Sequence, residues 1–403
     1  MVERLDAPQP TYPLPPLSDI PDGEEDKPAD TRILTTKLGA FDWPGVVLGA
    51  AAFSGFYSTN EQMSSVTPLR TTRLALRYGI RAFDTSPYYG PSEIILGTAL
   101  NALKDEFPRS SYIIATKCGR FGSTRNDFDY TPAGVRASVK RSLARLHTDY
   151  LDVVYVHDVE FIATPVSLRT RGCHLGALGA EKEVYGLLEG QEATVHGPGD
   201  QELLAAISEL QKLKEEGVVK NIGISGYSLP TLLRLALLVL HTSPLRPLDA
   251  ILSYSHLNLQ NRSLEQFAPV FYERAKIKHV SNASPFSMGL ILPSPPPWHP
   301  ASQEVKDAVA IAVQKSSAWE GYGGIADLAL GYAYRRGIAS NMPTVTGLKN
   351  LEEVHETMKI WYDVLDDSSK RRQERVAHEE ELLEVFREHN LLDVSWETPA
   401  FKS

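Results

Sequence analysis

The chain has 403 residues, 42% of them apolar and 23% charged, and a net charge of −9. This is ordinary globular composition with length for a full core, which excludes collagen-like, disulfide-stapled and wholly disordered chains. The acidic balance, without a long basic block, argues against nucleic acid as a partner.

No stretch approaches the ~18 unbroken apolar residues of a membrane span, so no membrane association is expected. No apolar run follows the N-terminal charges, so no secretory signal is read. Cys118 and Cys173 make neither a disulfide framework nor a metal spacing. They read as free thiols of a reducing compartment, and a cytoplasmic location is expected. Composition leaves the oligomeric state open.

Residues 1–32 are rich in Pro, Asp and Glu and poor in large apolar groups. Unable to bury enough surface alone, they are expected to form a disordered or loosely attached tail. Residues 33–44 place Gly39 and Phe41-Asp42 between short apolar pieces, as in a small hairpin or plug. Residues 46–53 read as a first buried strand. Thr67-Pro68 opens a helix to Tyr78, with Thr67 as N-cap, and Gly79 ends it. A second strand covers 80–83. Asp84 stands at its end, Tyr89 in the loop beyond, and Pro91 suits the first turn of a helix to Leu103.

The third strand, 112–116, ends at Lys117. Thr131-Pro132 opens a helix with Val135, Val139, Leu143 and Leu146 on one face. The fourth strand, 151–156, ends at His157. Residues 161–199, with many glycines and no sustained period, break the rhythm. They read as a loop insertion at the catalytic mouth, a partial lid. A helix over 201–216 restores the pattern. The fifth strand, 218–224, ends at Ser225, and a helix covers 229–240. The sixth strand, 250–252, ends near Ser253, and a helix covers 264–275. The seventh, 277–280, runs into 281–285. A Pro-rich loop, 293–300, leads to a helical stretch and then a helix over 325–336. The eighth strand, 344–346, meets Gly347, and a helix starts at Asn350. A charged helix, 366–389, and a short tail follow.

Eight strands alternate with eight helices, which implies a parallel sheet closed into an α/β (β/α)8 TIM barrel. The barrel is expected over 33–366, with an extra helix and tail over 367–403. An open doubly wound sheet is the alternative, but no Gly-x-Gly-x-x-Gly follows any strand. In a barrel, Asp84, Tyr89, Lys117 and His157 ring one mouth, with Ser225, Ser253 and Ser284 on later strands. Each alone reads as well as a turn or core residue; together they make a constellation. A free phenol has a pKa of about 10. An ammonium beside it lowers that value, and a carboxylate holds the ammonium. A histidine orients the substrate oxygen. Such a group exchanges a proton beside a carbonyl or carbinol carbon, as transfer of hydride to or from a nicotinamide requires.

The runs Phe83-Asp84-Thr85-Ser86-Pro87-Tyr88-Tyr89-Gly90, Ala115-Thr116-Lys117, Tyr150-Leu151-Asp152 to Val156-His157, and Gly223-Ile224-Ser225 resemble the aldo-keto reductase family across about 35–364. The resemblance implies Tyr89, Asp84, Lys117 and His157 as catalytic residues and Ser225 as a holder of the nicotinamide amide. The runs 157–160, 251–256 and 282–285 are most similar to the branch that oxidises C1 of L-galactose or D-arabinose in plants and fungi. That branch implies a small sugar as substrate, a lactone as product and NAD as cofactor, with NADP as the alternative. Reduction of small aldehydes and a cofactor-sensing regulatory subunit are the rival functions. Three positions depart from the pattern: Gly226 replaces the usual Asn, Ser253 a common Gln, and Ala283 a ring-stacking Tyr. Cofactor placement must then rely on other groups, with Phe53 and Phe286 as candidates.

The cofactor-binding residues expected are Ser225, Ser253, Ser284, Phe286, Gly347, Lys349 and Glu353. NADP users often place a Lys-Ser pair and an Arg where this chain has Gly347-Leu348 and Glu353. Thr357 stands where they carry an Asn. Glu353 repels a 2′-phosphate and accepts a bond from a ribose hydroxyl, as acids do in other NAD sites. It also fits a capping box with Asn350. Lys349 alone argues for NADP. No metal site is read.

Overall fold

A computed structural model describes residues 9–29, 32–167 and 169–397. Eight parallel strands close into a barrel: β3 (Val46–Gly49), β4 (Ala82–Asp84), β5 (Ile113–Cys118), β6 (Leu151–Val156), β8 (Val219–Gly226), β9 (Ala250–Tyr254), β10 (His279–Ala283) and β11 (Thr344–Gly347). Closure excludes the open-sheet alternative. The helices α2 (Thr67–Arg77), α3 (Ser92–Ala102), α4 (Pro132–Arg145), α5 (Pro198–Glu215), α6 (Leu229–Leu240), α7 (Ser263–Glu273), α9 (Gly324–Ala339) and α10 (Leu351–Leu365) return the chain between strands. Short α1 (Asn60–Ser64) precedes α2, α8 (Gln303–Lys315) precedes α9, and α11 (Lys370–Glu388) follows α10.

The strands are apolar on both faces because both are covered. Val47, Ala82, Ala115, Val153, Tyr155, Ala250, Leu252 and Val345 fill the barrel. Val46, Leu48, Phe83, Ile114, Val154 and Ile224 pack outward beneath the helices. The hairpin β1 (Lys37–Leu38) and β2 (Trp43–Pro44) is the expected plug. Its Phe41 and Trp43 rings lie 4.6 and 4.8 Å from His279, at the start of β10, so the hairpin closes the N-terminal end of the barrel. Every side chain of the constellation sits at the other end.

Local details differ from the sequence reading. Val66, not Thr67, is the N-cap of α2, and Thr67 is its first helical residue. β5 continues through Cys118 and β8 through Gly226. Lys117 and Ser225 are therefore fixed by sheet hydrogen bonds rather than carried on loops.

The N-terminal segment corrects an expectation. Residues 9–29 are not loosely attached, while 1–8, 30 and 31 lie outside the described residues. Asp26 is 0% exposed and bonded to Arg70 and Arg73 of α2. Arg77 holds Asp22 at 2.6 Å, and Ala29 N–H donates to Tyr78 Oη at 2.8 Å. The segment has too little apolar surface to fold alone, but its carboxylates dock on an arginine row spaced at helical intervals.

The described residues of 161–199 are also built rather than loose. They contain β7 (Gly172–Cys173) and short 3-10 turns, with Ala177, Tyr185 and Leu187 buried in the core. Asp200 ties the insertion down, accepting from Thr164 N–H and His196 N–H and pairing with Arg234 at 2.7 Å. β12 (Val394–Ser395) pairs antiparallel with β7, so the C-terminal segment straps the insertion. Trp396 stacks on Tyr227 at 4.4 Å and donates its backbone N–H to that hydroxyl.

Candidate active site

Asp84 ends β4, and Lys117 is the last residue but one of the neighbouring β5. Lys117 Nζ donates to Asp84 Oδ1 at 2.6 Å and to the Thr85 carbonyl at 3.0 Å. The ammonium lies 4.8 Å from the centre of the Tyr89 ring. Burial disfavours its charge, but Asp84 and Tyr89 outweigh that and hold its pKa above the ordinary lysine value. Burial also pushes the Asp84 carboxyl upward, against the pull of Lys117.

Tyr89 departs from the simplest reading of the constellation. Lys117 does pull its pKa down, as expected, but burial pushes it up by more. The phenol is therefore held above its ordinary range, with Asp84 and Asp158 adding to the rise.

His157 directly follows β6, with its ring 5.7 Å from those of both Tyr88 and Tyr89. Its Nδ1 lies 3.0 Å from Ser86 Oγ and its Nε2 3.4 Å from Asp158 Oδ2. Burial, Lys117 and Arg120 hold the imidazole well below its ordinary pKa, so it is neutral. The structure thus brings Asp84, Lys117, Tyr89 and His157 into one cluster.

Sequence reasoning missed a second layer. Arg120, just past β5, pairs with Asp158 and lies 3.9 Å over the Tyr88 ring. Phe128 and Phe161 pack on its other sides. Glu160 lies beneath Tyr227, whose N–H it accepts at 2.8 Å. The signal is the pair of acids Asp158 and Glu160 directly after His157, to which the sequence reading gave no individual role.

Ser225 Oγ is buried with no hydrogen-bond partner among the described residues, as is Asn282 Oδ1 on β10. Native interiors seldom leave such atoms unpaired. Ser253 is committed more fully, with Oγ 3.4 Å from His256 Nδ1. Ser284 adopts a left-handed turn and its Oγ accepts from Met288 N–H at 2.7 Å. Phe53 is 1% exposed within the outer core, so it is not free to stack on a ligand ring. Phe286 is half-buried and packs at the edge of two apolar clusters.

On the β11–α10 turn, Asn350 caps the helix, accepting from Glu353 N–H at 2.9 Å. Glu353 does not close a capping box onto Asn350. Its carboxylate instead accepts from Lys349 N–H at 2.9 Å and pairs with Lys349 Nζ at 3.3 Å. Gly347 opens this turn at the exposed end of β11.

Comparison with known proteins decides the family. The model of the aldo/keto reductase family matches residues 45–378. The chain belongs to the aldo/keto reductase family. As an aldo-keto reductase it is an oxidoreductase of the nicotinamide-dependent kind. It is 35% identical over 364 residues to D-arabinose 1-dehydrogenase of Saccharomyces cerevisiae, covering 89% of this chain and 96% of that protein. It is 36% identical over 319 residues to L-galactose dehydrogenase of Arabidopsis thaliana, covering 78% and 83%. Among solved structures, an aldo-keto reductase from Bacillus halodurans superposes with a TM-score of 0.56 at 20% identity, covering 86% of this chain and 95% of that one. That likeness speaks to the fold. Among the described residues, no helix of this aldo-keto reductase is long and apolar enough to cross a membrane.

Proposed function

We propose that this aldo-keto reductase oxidises C1 of an aldose of the D-arabinose, L-galactose or L-fucose type to its lactone, with NAD as cofactor. The observation that carries the reading is the cluster of Tyr89, Lys117, Asp84 and His157 in a chain whose long, near-full-length relatives are named for sugar dehydrogenation. The unpartnered Ser225 hydroxyl fits the polar edge of a nicotinamide. A nicotinamide bound there supplies the acceptor for the hydride of C1.

The chain's own residues handle the proton. Tyr89 accepts it from the anomeric hydroxyl as the C1–O bond becomes the lactone carbonyl. Lys117, fixed by Asp84 and the Thr85 carbonyl, favours the tyrosinate that takes up this proton and becomes the neutral phenol. Ser86 Oγ already accepts from Tyr88 N–H at 3.1 Å. Donating its own hydrogen to His157 Nδ1 leaves His157 Nε2–H to hold the sugar oxygen. Arg120, Asp158 and Tyr88 form a wall with a donor, an acceptor and a ring, suited to the hydroxyls and the apolar face of a sugar. Residues 161–199 would cover the mouth as a partial lid.

Cofactor choice follows from the β11–α10 turn. The single cation that argued for NADP, Lys349, is already paired with Glu353. Its charge is spent locally, and the carboxylate repels a second phosphate.

One observation favours the reverse direction. Tyr89 is held as a neutral phenol, which donates a proton, as reduction of a small aldehyde requires. The deciding measurement is kcat/KM for D-arabinose, L-galactose and L-fucose with NAD, set against reduction of short aldehydes with NADH. Sugar oxidation should dominate and fall by about 10²–10⁴ in Tyr89→Phe. Turnover of aldehydes alone, or undiminished sugar turnover in the variant, would overturn the assignment.

A further inference from the structure

The glycine at 226 has a cause outside its own backbone. Its φ is not among the left-handed values of the chain, so no turn demands a glycine there. A Cβ at this position would instead stand 2.1 Å from Glu160 Oε2. The Glu160 carboxylate therefore occupies the space where the side chain of residue 226 would lie. One oxygen, Oε1, is satisfied by Tyr227 N–H. The other, Oε2, is buried and has no hydrogen-bond partner among the described residues. The preceding residue, Ser225, carries the other unpartnered polar atom of this strand end.

A hydroxyl can donate, and a carboxylate can only accept. Both at the C-terminal end of β8, they complement a group with an acceptor oxygen and a donor NH2. That is the pattern of a primary carboxamide. We propose that Glu160 is a cofactor-positioning residue: its Oε2 accepts from the carboxamide NH2 of the nicotinamide while Ser225 donates to the carboxamide oxygen. The inference rests on the nicotinamide site proposed above. It explains why Gly226 is small: the side chain missing there is replaced by one reaching over from the loop after β6.

In the ligand-free site, burial and Asp158 push the Glu160 carboxyl up to about 8, although Tyr227 N–H and Arg120 favour its charge. The test is therefore read at about pH 9, where the carboxylate predominates. Dissociation constants of NAD and of nicotinic acid adenine dinucleotide, in which a carboxylate replaces the carboxamide, are measured by calorimetry on the whole chain. Wild type should prefer the amide form, since the acid form offers no NH2 and sets two carboxylates face to face. Glu160→Gln keeps an acceptor for Tyr227 N–H but supplies a donor to the acid form. The preference should fall by about tenfold or more, the scale of one hydrogen bond to a charged group. Gly226→Ala drives a methyl into the carboxylate's place and should lower the preference in the same direction, which keeps the test open if Glu160→Gln misfolds. An unchanged preference in both folded variants overturns the role of Glu160 and leaves the nicotinamide site standing. Failure of wild type to bind either dinucleotide overturns both.

Discussion

Lys117 carries two opposed demands. It must remain an ammonium while 2% exposed, and it must pull a proton equilibrium on Tyr89. Asp84 meets the first at 2.6 Å, which is why the pair is shared between adjacent strands in a fixed register. Lys117→Met removes the pull on Tyr89, whose pKa already lies above the ordinary phenol value because of burial. With the cation gone it rises further. The basic form needed for oxidation is then reached only at higher pH, so the acidic limb of the kcat profile should move upward. A profile with an unmoved limb would show that Lys117 does not act on the proton. Asp84 in that variant is left buried without its partner, so the profile should be read on protein checked for folding. At the far end of the site, Glu353 should set cofactor choice. NAD is expected to be preferred over NADP by about tenfold or more, equivalent to ~1.4 kcal/mol. Glu353→Arg removes the repulsion and frees Lys349 from its partner. Its kcat/KM ratio should swing toward NADP; equal use of the two by wild type would refute the preference.

At the scale of elements, the N-terminal segment and the insertion follow one rule: a stretch without apolar periodicity is ordered by what it docks against. Asp26 shows the energetics. Burial alone would raise its pKa, but bonds from Arg70, the Gly23 N–H and Arg73 bring it below the usual 3.8. A depressed folded pKa contributes stability above the unfolded value, lost as pH falls through the folded one. The segment should therefore stay docked near neutrality and detach progressively below about pH 4. Asp26→Asn removes the charge that Arg70 and Arg73 face. It should expose 9–29 to limited proteolysis at neutral pH, with the barrel intact. Cleavage no faster than in wild type would count against the docking account. The insertion is held in the same way by Asp200 and Arg234, with buried Tyr185 and Leu187 beneath. Excising it would remove core residues as well as surface loop.

For the molecule as a whole, closure decides what meets what. Parallel strands joined by helices bring all eight C-terminal ends to one mouth. Residues as distant as Asp84, Lys117, His157 and Ser225 therefore share it. Closure also sets tight approaches between strands. A Cβ on Gly223 of β8 would stand 2.2 Å from the Ala250 carbonyl and 2.8 Å from the Tyr155 ring. Gly223→Ala would otherwise favour a strand, yet here it should cost about 1–3 kcal/mol through overpacking. A lowered midpoint of urea unfolding reads that cost, and an unchanged or higher midpoint would contradict the close approach.

The sequence alone determined the repeating architecture and singled out the quartet Asp84, Tyr89, Lys117 and His157. Both are written locally: strands and helices by hydrophobic period and caps, the quartet by polar residues placed at strand ends. The plug was legible for the same reason, as a short turn between apolar pieces. Only the tertiary structure decided what depends on partners distant in the chain. The ordering of residues 9–29 rests on arginines of α2 some 45 residues away. The strapping of 172–173 by 394–395 joins segments more than 200 residues apart. The neutral Tyr89 follows from burial, which no spacing reveals. Gly226 looked like a lost contact because its replacement, Glu160, arrives from another loop. Local periodicity specifies elements; desolvation and long-range charge pairing, which exist only after closure, specify the state of the site.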